Sequence, residues 1–216
     1  MVMTRSHGSN SVRVQPDSGG LMSELVDRLL IENAEILQEL TGLLSRLDDD
    51  AFTSAVDPCY GSTIGQQVRH TIEHAEALLA APDGTVDFHT RQRDPRTETM
   101  RDVALGRLDD VISRFEAMRH RVADDSLIKV RHVVDGPRGP EDHWLDTSFS
   151  RELAFLQSHS IHHMALIGMM TSLAGTAVPD GFGVAPSTRR YLEAQGQRER
   201  ETRGGDQVLH AASKAD

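Results

Sequence analysis

The chain has 216 residues and a formal net charge of −10, with 33 Asp and Glu against 23 Lys and Arg. That length suits one domain with a sizeable core. The acidic balance excludes a general nucleic-acid binder, which needs a basic footprint, and disfavours an anionic membrane surface. Aromatic residues are only 4% of the chain, too few for a stacking platform for bases. The one cysteine, Cys59, excludes an internal disulfide and a Cys-rich zinc site. The first twenty residues lack the apolar run of a signal peptide. The longest apolar stretch, Met164 to Met170, is far too short to span a bilayer. A cytoplasmic location is expected. The unusual number is histidine, with eleven residues.

Residues 1–20 are polar and Gly-rich and are expected to be mobile. The first helical segment runs from Leu21 to Leu47. Leu25, Leu29, Leu30, Ile36, Leu37, Leu40 and Leu44 recur at spacings of three and four, which makes one apolar stripe, and Asp48, Asp49 and Asp50 close it. The second runs from Ser62 to Ala81, with Ser62 or Thr63 as N-cap and Pro82-Asp83-Gly84 as its stop. Asp87 to Thr97 is charged, contains a proline and reads as a loop. The third helix spans Glu98 to Val122, with Val103, Leu105, Leu108, Val111, Ile112, Phe115 and Met118 as its apolar set. Leu127 to Val134 is rich in β-branched residues, Pro137-Arg138-Gly139-Pro140 is a turn, and His143 to Thr147 is a second extended piece, so a short β-hairpin is predicted. The fourth helix spans Phe149 to Leu173 and ends at Gly175. Residues 195–216 are again polar and expected to be mobile. The reading is all-α: residues 21–194 form a four-helix bundle with long loops and one short hairpin between helices three and four. Loops of this length are often functional.

Two histidine pairs carry chemistry. On the fourth helix His159 and His163 are i and i+4, so their imidazoles leave one face a turn apart and can reach one ion. They continue the stripe of Phe149, Leu156, Leu166, Met170 and Leu173, where leucines would be expected. Imidazoles at such positions need partners, and a metal satisfies both. On the second helix His70 and His74 repeat the spacing on a stripe with Ile64, Gln67, Thr71, Ala77 and Leu78. The expected ligands are His70, His159 and His163, a three-imidazole set that leaves coordination positions open for chemistry. His74 is then a fourth ligand, a group behind the ligands, or the proton-transferring catalytic residue. A bland reading, with surface histidines or a hydrogen-bonded core pair, competes with this one.

Other residues are assigned around that site. Glu73 or Glu152 would orient a ligand imidazole. Arg91 and Arg93 would clamp a carboxylate, unless they are merely solvated loop charges. His89 and His143 would line the mouth, and His162 lies about 100° off the stripe. Ser160 stands where the zinc-protease pattern HExxH has its glutamate, so that chemistry is excluded. Di-iron carboxylate chemistry is excluded too, because no carboxylate pairs with the histidines.

The stretches STIGQQVRHTIEH (62–74), RELAFLQSHSIHHMALI (151–167), DFHTRQRD (87–94) and FGVAPSTRRY (182–191) resemble the DinB-like family, also called DinB/YfiT-like putative metalloenzymes. The resemblance covers about residues 20–192. It implies an up-down-down-up four-helix bundle, a zinc, nickel or iron ion on His70, His159 and His163, and frequent homodimers. Relatives include thiol S-transferases using small thiols such as bacillithiol, a mycothiol-dependent isomerase and the bundle domains of sulfoxide synthases. No separate substrate domain is visible, which turns expectation toward a small-thiol S-transferase or a hydrolase acting on a small-molecule substrate. A non-catalytic, metal-binding stress protein is the alternative. It is discriminated by whether the metal keeps an exchangeable position.

Overall fold

The leucine spacing of the first segment is realised as helix α1 (Ser18–Leu44), the first element of a computed structural model that describes residues 18–81, 84–121 and 125–197. It buries Leu30, Leu37, Leu40, Leu43 and Leu44 almost completely. Each such side chain contributes roughly 1.5–3 kcal/mol relative to exposure. The acidic run after it does not simply close it. Asp48 instead caps a new short helix, α2 (Asp49–Thr53), by accepting a hydrogen bond from the Ala51 amide at 2.7 Å.

A 3₁₀ turn at Asp57–Cys59 leads to α3 (Ile64–Leu79). Thr63 caps α3 through a capping box, in which its hydroxyl accepts from the Gln66 amide and the Gln66 side chain accepts from the Thr63 amide. A two-residue strand β1 (Thr85–Val86) follows, then α4 (Pro95–Thr99) and α5 (Arg101–Met118). The predicted third helix is thus two helices. Asp94 caps α4, Pro95 starts it, and the chain turns extended at Met100. Gly65 allows α4 to lie against α3, since a Cβ there would overlap the Glu98 carbonyl oxygen and sit 2.9 Å from a Phe52 ring carbon.

The hairpin is longer than predicted. Strand β2 (Leu127–Gly136) pairs antiparallel with β3 (Gly139–Ser148) along its whole length, and β1 adds in parallel to β2 through Thr85↔Lys129 and Val86↔Val130. The protein is therefore mostly helical with a three-stranded sheet, not purely α. Strand β3 runs directly into α6 (Phe149–Leu173), capped by the Ser148 hydroxyl. Residues 186–197 are also helical, and Arg189 ties them to α1 through Glu39.

Among the long helices, α1 packs on α5 and α6, and α3 packs on the same two, so the contacts close a ring around one core. The segments expected to be mobile, 1–20 and 195–216, lie outside the described residues except for 18–20 and 195–197, which are helical. Among the described residues no helix is long and apolar enough to cross a membrane.

Candidate metal centre and its pocket

Helices α3 and α6 lie side by side and bring both histidine pairs to one place. The core stripe of α6 is Phe149, Leu153, Leu156, Ser160, Met164, Ile167 and Met170. His159 and His163 flank this stripe by one position and are half-buried, while Leu173 is 62% exposed. The histidines therefore do not occupy leucine positions, as the spacing had suggested. They border the core on one side and open space on the other.

His70, His159 and His163 each offer a ring nitrogen, and these atoms lie within 4.8 Å of one another. His70 Nε2 and His159 Nε2 are 3.0 Å apart. His163 is held by Gln67, whose side-chain oxygen lies 2.7 Å from Nδ1. An amide oxygen only accepts, so Nδ1 carries the proton and the Nε2 lone pair is free. Gln67 thus does the orienting work expected of Glu73 or Glu152. Glu152 accepts from Thr147 and Arg151 instead, and Glu73 Oε1 is buried without a hydrogen-bond partner. Gln67 was visible on the α3 stripe, but only the cross-helix register reveals its partner.

His74 is the most buried of the four, and its ring centroid is 4.3 Å from that of His159. Its Nδ1 lies 2.8 Å from the carbonyl oxygen of His70, one turn back, so the proton sits on Nδ1 and Nε2 is unprotonated. Burial pushes all four imidazoles below their ordinary value of 6.5: His70 to about 2, His74 to about 3, His163 to about 4, and His159 also downward. Mutual repulsion between the rings and with Arg91 adds to the effect. All four are neutral at pH 7, the form that ligates metal.

The segment after β1 supplies the surprise. Arg91 is not a solvated loop charge. Its NH1 lies 2.9 Å from His70 Nδ1 and 2.6 Å from His74 Nδ1. Since His74 Nδ1 bears a proton, the hydrogen bond is the one to His70, which makes His70 Nε2 the donor to His159. Burial pushes the Arg91 pKa down, against Glu73, which raises it. Asp87 shapes this loop by accepting from the His89 and Thr90 amides, and Arg131 of β2 clamps it at 2.8 Å. Burial pushes the Asp87 carboxyl up, but those bonds outweigh it and hold the group well below the usual carboxylate range.

A cavity of about 720 Å³ is lined by His70 and His74, with His159 and His163 beside them just outside its lining. Its walls are the Asp87–Arg93 loop, the start of α6, and the hairpin face that carries Val130, His132, Leu145 and Thr147. Phe88 stacks on His74 at 5.4 Å, Phe155 stacks on His159 at 5.6 Å, and the two phenyl rings meet at 5.6 Å. His89 lines the cavity as expected. His143 does not, and its Nε2 lies 4.0 Å from a Glu141 carboxylate oxygen on the exposed hairpin, while His132 takes that place. His162 is exposed, and Cys59 is buried away from the cavity lining. His7 and His210 lie outside the described residues.

A family model described as the DinB superfamily matches residues 32–167, which hold all four clustered histidines, and the chain belongs to that superfamily. FK506-binding protein 5 of Rhizopus delemar is 27% identical over 110 residues, which is 51% of this chain but 28% of that protein. The chain therefore spans under a third of the length of that curated relative. No solved structure matches it significantly.

Proposed function

With membership of the DinB superfamily as the premise, we propose that the chain is a divalent-metal-dependent enzyme of the small-thiol S-transferase or hydrolase type, with His70, His159 and His163 as ligands. One observation carries this reading. Three neutral imidazoles from two helices converge beside a cavity large enough for a small molecule. The donor set fits zinc, nickel or iron, and three protein ligands leave positions for substrate. Gln67 fixes the tautomer that presents His163 Nε2. His70 presents Nε2 in the same way once Arg91 withdraws its hydrogen bond from Nδ1 and the proton moves there.

A divalent ion held there would lower the pKa of a bound thiol or water to give a nucleophile near neutral pH. His74 would relay that proton through Nε2, since its Nδ1 is tied to the helix backbone, and the burial that lowers its pKa makes it a group that passes the proton on and does not hold it. Phe88 and Phe155 give that side of the site an apolar surface against His74 and His159. In this reading the four long helices form a four-helix bundle, residues 21–194 are the working domain, and the protein acts in the cytoplasm, with homodimers as the assembly.

The test is a panel of low-molecular-weight thiols with alkyl electrophiles, plus ester and amide substrates, on metal-reconstituted protein. Wild type turns over at least one pair, His159→Ala loses metal and turnover together, and His74→Ala keeps metal while turnover falls about 10²–10⁴-fold. Full metal loading with no turnover across the panel, and a cobalt spectrum unmoved by thiol or imidazole, would overturn the enzyme reading in favour of a closed metal-binding protein.

A further inference from the structure

The protein is acidic overall, yet its cavity is lined by Arg91, Arg93, Arg131 and Arg151 against only Asp146 and Glu152. A positive mouth on an acidic protein focuses field on anions. Two of those arginines are committed. Arg131 binds Asp87 and Asp142, and Arg151 binds Glu152. Arg93 is different. It is exposed at the cavity wall and makes no hydrogen bond or ion pair among the described residues. It also stands in the left-handed region, at φ 49°. That conformation is strained for a residue with a Cβ, and such strain concentrates where a side chain must be aimed. Arg91, two residues away, leaves Nε buried without a partner and is repelled by Arg93. Arg93 is thus uncommitted, and Arg91 keeps one unpartnered N–H, Nε, besides the NH1 that donates to His70, so two like charges on one loop favour an anion between them. Beside them, Phe88 and Phe155 offer an apolar wall.

We propose that this cavity takes an organic carboxylate with an apolar body, its carboxylate on Arg93 and the free edge of Arg91, its body on Phe88 and Phe155. This deepens the reading above by naming the substrate class, and it rests on that cavity being the substrate site. A guanidinium–carboxylate pair supplies direction as well as charge, and the aromatic rings supply most of the buried contact.

The test uses full-length, chelator-treated protein, so that no metal can serve as the anion's partner. Phenylacetate and its neutral isostere phenylacetamide are titrated by calorimetry and ligand-observed NMR. Phenylacetate is expected to bind at least tenfold tighter, and the margin should shrink with added salt. Arg93→Gln removes the preference. Arg93→Gly removes it too, while its Tm is no lower than that of wild type, because glycine relieves the left-handed strain. Phe155→Ala weakens both probes. Equal binding of acid and amide, no binding of either, or an unchanged preference in both Arg93 variants would overturn the proposal. Metal content, read separately by elemental mass spectrometry, keeps the two readings apart. Carboxylate binding by a protein that never loads metal would sink the metalloenzyme reading alone, and a loaded protein indifferent to carboxylates would sink this one alone.

Discussion

The two sides of the cavity are built on opposite principles. One side is the seam of α3 and α6, where His70, His74, His159 and His163 are fixed by helices whose neighbouring residues, Val68, Thr71, Ser160 and Met164, are nearly inaccessible. The other is the Asp87–Arg93 loop and the β2–β3 hairpin, where most side chains are exposed and the shape is kept by ion pairs such as Asp87–Arg131–Asp142. The first side is rigid because moving it would disturb the core. The second is held by contacts that water and salt compete for. On the proposed reading, the helical seam would scaffold the reactive groups and the loop and hairpin would form an adaptable recognition wall, a division of labour that permits substrate change without loss of the centre.

The sharpest contrast should appear in stability. Leu156→Ala, beside the seam, is expected to cost about 2–5 kcal/mol in urea unfolding, whereas Leu145→Ala on the hairpin, already 49% exposed, should cost under about 1 kcal/mol. Similar values at the two positions would break the comparison. Next in size, Gln67→Leu should weaken metal affinity about 10–100-fold while leaving the fold intact, because it frees the His163 ring. Competition with a chelating dye measures it.

The pH dependence of the metal-free protein is a third handle. The folded-state pKa values of the four histidines lie below their unfolded value of 6.5. The unfolded chain therefore binds more protons below that value. Stability is full above about pH 6.5 and falls as pH drops toward 4. Replacing His74 with Gln should flatten the slope, as followed by urea midpoints at fixed salt. The smallest effect is expected from Arg91→Met. Removing the guanidinium from His70 should tighten metal binding by about tenfold or less, since a partly exposed cation repels an ion only modestly. Weaker binding in this variant would mean that Arg91 supports the centre instead of competing for it.

The same division explains what could be read in advance. The ends of α6 fall where the spacing placed them, because a buried helix writes its period into the sequence and Ser148 and Gly175 mark its limits. The histidine pairs were legible from their i, i+4 spacing, but their place beside the core stripe and not on it was not. Nor was the wall. Strands β2 and β3 are exposed along most of both faces, so no strict alternation marks their length, and the two residues of β1 are too few to carry a period. The break at Met100 carries no Gly or Pro to mark it, although Asp94-Pro95 is itself a helix-start signal. The roles of Arg91 and Gln67 depend on which side chain meets them across the fold, a fact no local pattern records.

The central claim is that three of the four clustered histidines form one metal site. Elemental mass spectrometry on wild type, His70→Ala, His159→Ala, His163→Ala and the exposed neighbour His162→Ala tests it directly. The account predicts about one divalent ion per chain in wild type and His162→Ala, and none in the other three. No ion in reconstituted wild type, or equal retention in all five proteins, would contradict it.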